Sequence, residues 1–465
     1  MTIQEILGMA DKPQEMIEEL KGGRTAPEPD IELCIKAINP HRHKVFDPKY
    51  RPDKTVKQDD GTIRTEKVAR IALALQKLIV KRASAFLFGN PVELTLKSDE
   101  SKYQTAFAAI QQIMEDVKID SVNRRLARIL FSCTEVAELW YPVEAENEEN
   151  LYGINSKYKL KMKLLNPMKG DKLYPYFDQY DDLIAFSREY SVVKGDDKRI
   201  FFDVYTDEYI LNYEIKPEGP VLLNEPKKNP IKKIPVVYGH QDITDYDDVQ
   251  MLIERLEKLL SNFADTNDYH SSPKIFVKGK IIGFAKKGES GAILEGEPGS
   301  EASYLSWQHA PESVKLEIDT LKQMIYTISQ TPDISFDNMK GLNSIALTTL
   351  KLMFLDAHLK VGDKREVFDE YLKRRMSIVK AYVASFGKTV EAKTIRIGHV
   401  ITPYMIDDEK ERLEVVMTAT GNKPVCSQKR GVRLAGFASN PDEEYAQIQE
   451  EEKQSSSVDL FPMAQ

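Results

Sequence analysis

The residues that could carry chemistry are few, and their spacing is poor for it. A phosphate-binding loop needs Gly-x-x-x-x-Gly-Lys-Ser/Thr between a strand and a helix, so that backbone N–H groups can cradle the phosphates. Gly387-Lys388-Thr389 ends like such a loop, but Tyr382 stands where the first glycine belongs. The triplet also follows a helical pattern instead of opening one, so Gly387 reads as a helix C-terminal cap. The histidines are His41, His43, His240, His270, His309, His358 and His399. Only His41 and His43 stand close together, in a charged segment, and both read as surface residues. No His-Glu-x-x-His, Gly-x-Ser-x-Gly or paired-aspartate nuclease spacing occurs. Asp245, Asp247 and Asp248 cluster where a helix begins. Acids there offset the helix dipole, which suffices to explain them. Cys34, Cys133 and Cys426 are an odd number and far apart. They read as buried free thiols, not as a disulfide framework or zinc site. The expectation is no catalytic residue, no metal and no cofactor.

The elements around these residues are more informative. The chain has 465 residues, 42% hydrophobic and 30% charged. That length implies two or more subdomains. No apolar run approaches the ~20 residues that span a bilayer. The start, MTIQEILGMADKPQEM, lacks a basic-then-apolar signal pattern and reads as cytosolic. A net charge of −8 argues against tight, sequence-specific DNA binding and allows only weak, local contact.

A short helix around Pro13 to Lys21 precedes an exposed arm, Ala37 to Gly61, rich in Pro, Asp, Lys and Arg. Such an arm either wraps a neighbour or stays disordered. Thr65, Val68, Ile71, Leu75, Leu78 and Ile79 predict a helix over Thr65 to Phe88, ended by Gly89-Asn90-Pro91. Val92 to Leu96 reads as a strand, followed by helices at Ser101 to Val117 and Ser121 to Phe131. Glu135 to Tyr238 is a succession of strands rich in aromatic and β-branched residues. Thr244 opens a helix through Asp268, with Asp247 as a capping-box analogue and an apolar stripe from Val249 to Phe263. A glycine-studded β insertion, Pro273 to Trp307, is too small for its own core. A neighbouring copy is the economical partner for it.

Glu312 to Ser329 returns to helix. The turn TPDISFDNMKGLNS, Thr331 to Ser344, follows, and then a helix from Ser344 to Phe386, with Gly362 as a place for it to bend. Thereafter come a strand (TIRIGHV), helices at Met405 to Thr418 and Gln428 to Gly436, and an acidic helix passing into a disordered tail.

Four segments in this order resemble the portal (head–tail connector) protein of tailed double-stranded DNA bacteriophages, of the siphophage type. FLFGNPVEL (Phe86 to Leu94) is similar to the family's helix-to-strand turn. LLSNFADTNDYHSSPKIFVKG (Leu259 to Gly279) resembles the exit of a stem helix into a β clip. TISQTPDISFDNMKGLNSIALTTLKL (Thr327 to Leu352) resembles stem helix, tunnel loop and long helix in succession. ITPYMIDDEKERLEVVMTATGNKPVCSQKRGVRL (Ile401 to Leu434) is similar to the closing segment. The resemblance covers roughly Lys67 to Glu452.

It implies an α+β fold: a helix/sheet wing, two stem helices, a small β-rich clip, a tunnel loop, one long helix and a short C-terminal helical crown. The expected divisions are 1–64 arm, 65–243 wing, 244–272 stem helix, 273–308 clip, 309–330 stem helix, 331–343 tunnel loop, 344–425 long helix and wing strand, and 426–465 crown and acidic tail. The implied function is that of a noncatalytic subunit in a closed ring of about twelve copies at a capsid vertex. Double-stranded DNA passes through that ring during packaging, retention and ejection. Asn338, Met339, Lys340, Gly341, Leu342 and Asn343 would line the channel. Ile275, Val277, Lys278, Tyr304 and Trp307 would dock partners. Those partners are the terminase large subunit, head-completion or adaptor proteins, and capsid and scaffold proteins, in a virion assembled in the host cytoplasm. The alternatives from other classes are a nucleic-acid-processing enzyme with a long scaffold helix and a non-viral oligomeric scaffold.

Overall fold

The computed structural model describes the chain except residues 1–3, 6–7, 58–60, 99, 146–150, 155, 271–273, 280, 284–294, 297, 300, 306–309, 335–351, 353, 388–390, 406–408, 422–423, 439 and 459–465. The fold is α+β, in two compact units. The first comprises Met1–Asn338 and Leu355–Tyr404, the second Met339–Phe354 and Met405–Gln465.

An antiparallel sheet anchors the first unit. Its order is β10 (Gly219–Leu222), β9 (Tyr209–Lys216), β8 (Asp197–Tyr205), β7 (Leu183–Lys194) and β6 (Lys172–Phe177), with β11 (Lys227–Lys228) also on β9. Period-2 alternation gives this sheet two apolar faces. Tyr174, Tyr176, Phe202, Val204, Leu211 and Tyr213 face helix α1 (Pro13–Gly22), which buries Met16, Ile17 and Leu20 against them. Leu173, Phe186 and Tyr205 face the other way and pack with Ala137, Leu165 and Val236 of a second sheet. That sheet runs β12 (Val236–His240), β4 (Glu135–Glu144), β5 (Tyr158–Leu165). The strand β6 and the short β10 were not read in the sequence. Both sit next to turns, and β10 is only four residues long.

The predicted helix over Thr65 to Phe88 is half wrong. Residues 63–66 form strand β2, paired with β1 (Lys54–Lys57), residues 67–74 are neither helix nor strand, and only Leu75–Phe88 is helical (α3). The reason lies in a distant helix, α6 (Gln250–His270). Alternate N–H groups of residues 69–73 donate to side chains one turn apart on α6. Ala69 reaches Asp265 at 2.7 Å, Ile71 reaches Ser261 at 2.9 Å and Leu73 reaches Glu257 at 2.8 Å. Two extended residues span about 6.6 Å and four helical residues about 6 Å, so the two repeats match. Tertiary acceptors outweigh the local helical pattern.

Helix α2 (Ile31–Ile38) starts at Asp30, whose carboxylate accepts from the Leu33 N–H. Helices α4 (Gln104–Asp116) and α5 (Ile119–Cys133) follow the sequence reading. Strand β3 (Glu93–Leu96) pairs antiparallel with β17 (Ile397–Val400), closing the unit across some 300 residues. At Gly89 an added Cβ would lie 2.5 Å from the Ala85 carbonyl and 2.8 Å from Tyr404, so the turn after α3 requires glycine.

Helix α6 pairs with α7 (Ala310–Ile328), joined by Arg255 and Glu317. Between them, β13 (Lys274–Lys278) pairs with β16 (Glu301–Leu305), and β14 (Ile281–Gly283) with β15 (Glu295–Gly296). The long helix α8 is described over Leu355–Gly387 and runs through Gly362 without a break. Its 33 residues span about 50 Å. The predicted start at Ser344 lies outside the described residues, as do Lys388 and Thr389. The short α9 (Glu391–Thr394) follows.

The second unit holds α10 (Glu409–Thr420), α11 (Gln428–Ala435) and α12 (Pro441–Val458). Ser427 caps α11 by accepting from the Arg430 N–H, and Gly436 ends it at φ +72°. Asp442 pairs with Lys429 and Arg433, tying α12 to α11.

Candidate functional site

The long helix α8 is fixed at two places by buried charge. Midway along, the Arg375 guanidinium grips Glu138 of β4 through two 2.8 Å hydrogen bonds and donates to Asn123 of α5 at 2.7 Å. Both charged side chains are essentially inaccessible. Trp140 donates its indole N–H to the same carboxylate at 2.9 Å. Burial alone would lower the Arg375 pKa, but Glu138 more than offsets it and holds it up. Tyr371 and Tyr382 add hydrogen bonds to the Val237 and Trp140 carbonyls.

Near its described start, α8 presents Lys360 and Lys364 one turn apart. Lys364 Nζ lies 2.7 Å from Asp245 Oδ1 and donates to Gln241 at 3.0 Å. Lys360 Nζ lies 3.1 Å from Asp245 Oδ2 and donates to the Ser329 carbonyl at 3.0 Å. The Oδ2 contact lacks hydrogen-bond geometry and is Coulombic. Burial pushes the Lys360 ammonium below the usual lysine range, and Asp245 opposes that. One lysine of α8 therefore joins the segment preceding α6 to the last turn of α7.

The sequence reading of Asp245 as a dipole-offsetting residue is corrected here. The helical turn starts at Asp247 and α6 at Gln250, so Asp245 lies outside the helix and pairs with α8. Thr244 does not cap it with its side chain: the helical turn is preceded by Tyr246, with no side-chain cap.

The segment leaving α7 is held as well. Thr331 N–H closes back on the Tyr326 carbonyl at 2.9 Å around Gln330, whose φ is +50°. Non-glycine residues adopt this left-handed conformation at a cost of about 1 kcal/mol. Ser329 and Thr331 hydroxyls lie 3.0 Å apart. Arg82 of α3 donates to the Pro332 carbonyl and stands 5.8 Å from the centre of the Tyr326 ring. The expected channel residues, Asn338, Met339, Lys340, Gly341, Leu342 and Asn343, lie outside the described residues.

Of the expected docking residues, Ile275 pairs with Tyr304 across β13 and β16, and Val277 and Lys278 sit on the same ladder. Trp307 lies outside the described residues. Lys278 is exposed, as is its neighbour Phe276. Among the described residues the pair has two strands, which is marginal alone in water.

His43 was read as a surface residue, yet it is buried. Its Nδ1 lies 2.7 Å from Glu257 of α6 and its Nε2 2.9 Å from the Ala37 carbonyl. Burial opposes protonation, but the Glu257 carboxylate prevails and raises the pKa. Nearby, Arg51 reaches Asn262 and Asp265. The segment read as an arm is thus docked along α6 of its own chain. A pairing partner 214 residues away is invisible to any local pattern. Cys34 and Cys133 are buried free thiols as expected, whereas Cys426 is half-buried.

Among the described residues, no group of three His, Cys, Asp or Glu gathers to hold a metal, and no helix is long and apolar enough to cross a membrane. What these residues build is a mechanical framework: helices braced by buried ion pairs around a β body. The chain belongs to the phage portal protein family of the SPP1 Gp6-like type, whose family description matches residues 41–458. It is therefore a portal protein, a virion component serving DNA packaging.

No curated protein matches the chain. Among solved structures it is similar to a chain from the neck of an empty gene transfer agent particle computed with C6 symmetry. That match has 9% identity, 79% of this chain, 90% of the other and a TM-score of 0.42. A chain from the neck of the native particle computed with C12 symmetry gives 8% identity, 79% and 89% coverage, and a TM-score of 0.40.

Proposed function

We propose that this portal protein acts as a noncatalytic subunit of a closed ring of about twelve copies, with its helix-connecting loop facing the DNA path. In this reading 1–64 is an arm, 65–243 a wing, 244–272 and 309–330 stem helices, 273–308 a clip, 331–343 a tunnel loop, 344–425 the long helix with its wing strand, and 426–465 a short crown and tail. Asn338, Met339, Lys340, Gly341, Leu342 and Asn343 line the channel and touch a moving duplex lightly. A polymer that must slide cannot be held, and a net charge of −8 weakens nonspecific phosphate binding. The clip, through Ile275, Val277, Lys278, Tyr304 and Trp307, docks the terminase large subunit during packaging and head-completion proteins afterwards. Capsid and scaffold proteins meet the outer body.

The observation that supports this reading best is the Lys360 junction. The loop is flanked by an α7 end tied to Lys360 and Arg82, and by α8 itself. Movement of the loop is thereby coupled to both stem helices and, through Arg375, to the β body.

Deleting Asn338 to Leu342 tests it. Rings should still form in negative-stain micrographs, while DNA packaged per particle falls at least about ten-fold. Loss of folding would reject the loop assignment. Undiminished packaging would reject its role in the channel.

A further inference from the structure

A cavity of about 500 Å³ opens where α3, α5 and β5 meet. Lys77 and Lys81 of α3, Arg125 and Arg128 of α5 and Lys169 before β6 surround it. Apolar groups, among them Val80 and Leu164, contribute most of the remaining wall with Ser132 and Asn166, and no carboxylate lines it. All five cations are exposed, and none has an ion-pair partner among the described residues. This contrasts with the paired buried cations Arg375, Lys360 and Arg51. Burial, then the like charges of Arg124 and Arg125, push the Arg128 pKa down. Uncompensated positive charge concentrated in a cleft attracts an anionic partner.

The same unit carries a complementary projection. The turn between β6 and β7 is held by the Asp178 carboxylate, which accepts from the Tyr180 N–H at 2.8 Å and the Asp182 N–H at 3.0 Å. Asp181 sits at φ +62°. The turn presents Tyr180, 76% exposed, flanked by the exposed carboxylates of Asp181 and Asp182. Neither acid has an ion-pair partner among the described residues. The six residues of β6, Lys172–Phe177, separate Lys169 from this turn. That places the two features about 20 Å apart at opposite ends of one strand, so they cannot meet within one copy.

We propose that the cationic cavity receives the Asp178–Asp182 turn of a second copy of this chain. The two carboxylates meet the lysines and arginines, and the Tyr180 ring lies on the apolar wall. A tyrosine suits a contact that is apolar on one side and wet on the other. Different surfaces at opposite ends of the unit make a heterologous contact, the kind a closed ring repeats. Duplex DNA fits this site less well: it is convex, and its phosphates gain nothing from an apolar wall. The inference rests on the ring reading above and names one of its interfaces.

The test uses the full chain in three variants: Lys81→Glu with Arg125→Glu, Asp181→Lys with Asp182→Lys, and all four together. Assembly is read by sedimentation velocity at about 0.15 M salt, with circular dichroism as the check on folding. Each paired reversal should weaken association by about ten-fold or more, and the fourfold variant should recover it. Two folded reversals that assemble like the parent would overturn the proposal. So would a fourfold variant that stays dissociated. A cation reversal that assembles normally but loses retention of duplex DNA would instead assign the cavity to nucleic acid, and overturn it too. A parent chain that never assembles would reject the ring itself, a failure distinct from any variant-specific result.

Discussion

Arg375 and Glu138 lie buried together between α8, α5 and β4, so each depends on the other. Replacing Arg375 by Met leaves Glu138 buried without its counter-charge. The expected loss is about 3–5 kcal/mol of unfolding free energy, measured by urea titration. Arg375→Met with Glu138→Leu should recover part of that loss. His43 gives a second expectation, in pH. Its folded-state pKa is raised by Glu257, with Glu254 adding to the attraction, above the ordinary value near 6.5. The resulting stabilisation is complete below that ordinary value and is lost as pH rises through the raised one. Thermal stability followed upward from pH 6 should fall more in the parent than in His43→Gln. Parallel curves would show that His43 does not anchor the arm. At this scale the sequence was least legible. His43, Asp245 and Lys360 are ordinary polar residues in the chain, and each acquires its role from a partner more than 80 residues away.

The elements were more legible, for a physical reason. Long periodic segments such as α4, α5, α6 and the strands from β7 to β9 bury one face of a regular repeat, and that face is written in the sequence. The error at Thr65 to Ala74 shows the limit. Val68 and Ile71 fit a helix locally, but three side chains of α6 offer better partners to a non-helical backbone. The small strands β13 and β16 carry their own expectation. Among the described residues no third strand joins them, and open edges are what a neighbouring copy can pair. Val277→Asp or Ile275→Asp should therefore disrupt ring assembly or terminase docking while leaving the monomer's circular dichroism unchanged. Packaging at the parent level would remove these strands from the docking surface.

For the whole molecule, the order of elements proved more informative than any motif. The family follows from a succession spread over residues 41–458, which no short signature encodes. The residues expected in the channel were proposed from that order and lie outside the described residues. The cationic cavity could not be read from it, since it draws on segments from Ile38 to Lys169 that only the fold brings together. One feature of the first unit also bears on how it can yield. Ala69, Ile71 and Leu73 mesh with Asp265, Ser261 and Glu257 as teeth of equal pitch. Shifted by one residue, the segment turns every tooth away from its notch; shifted by two, it meets the next notch along. The residue 69–73 segment and α6 can therefore re-pair only in steps of about 6 Å, which makes their contact an indexed register and not a sliding surface.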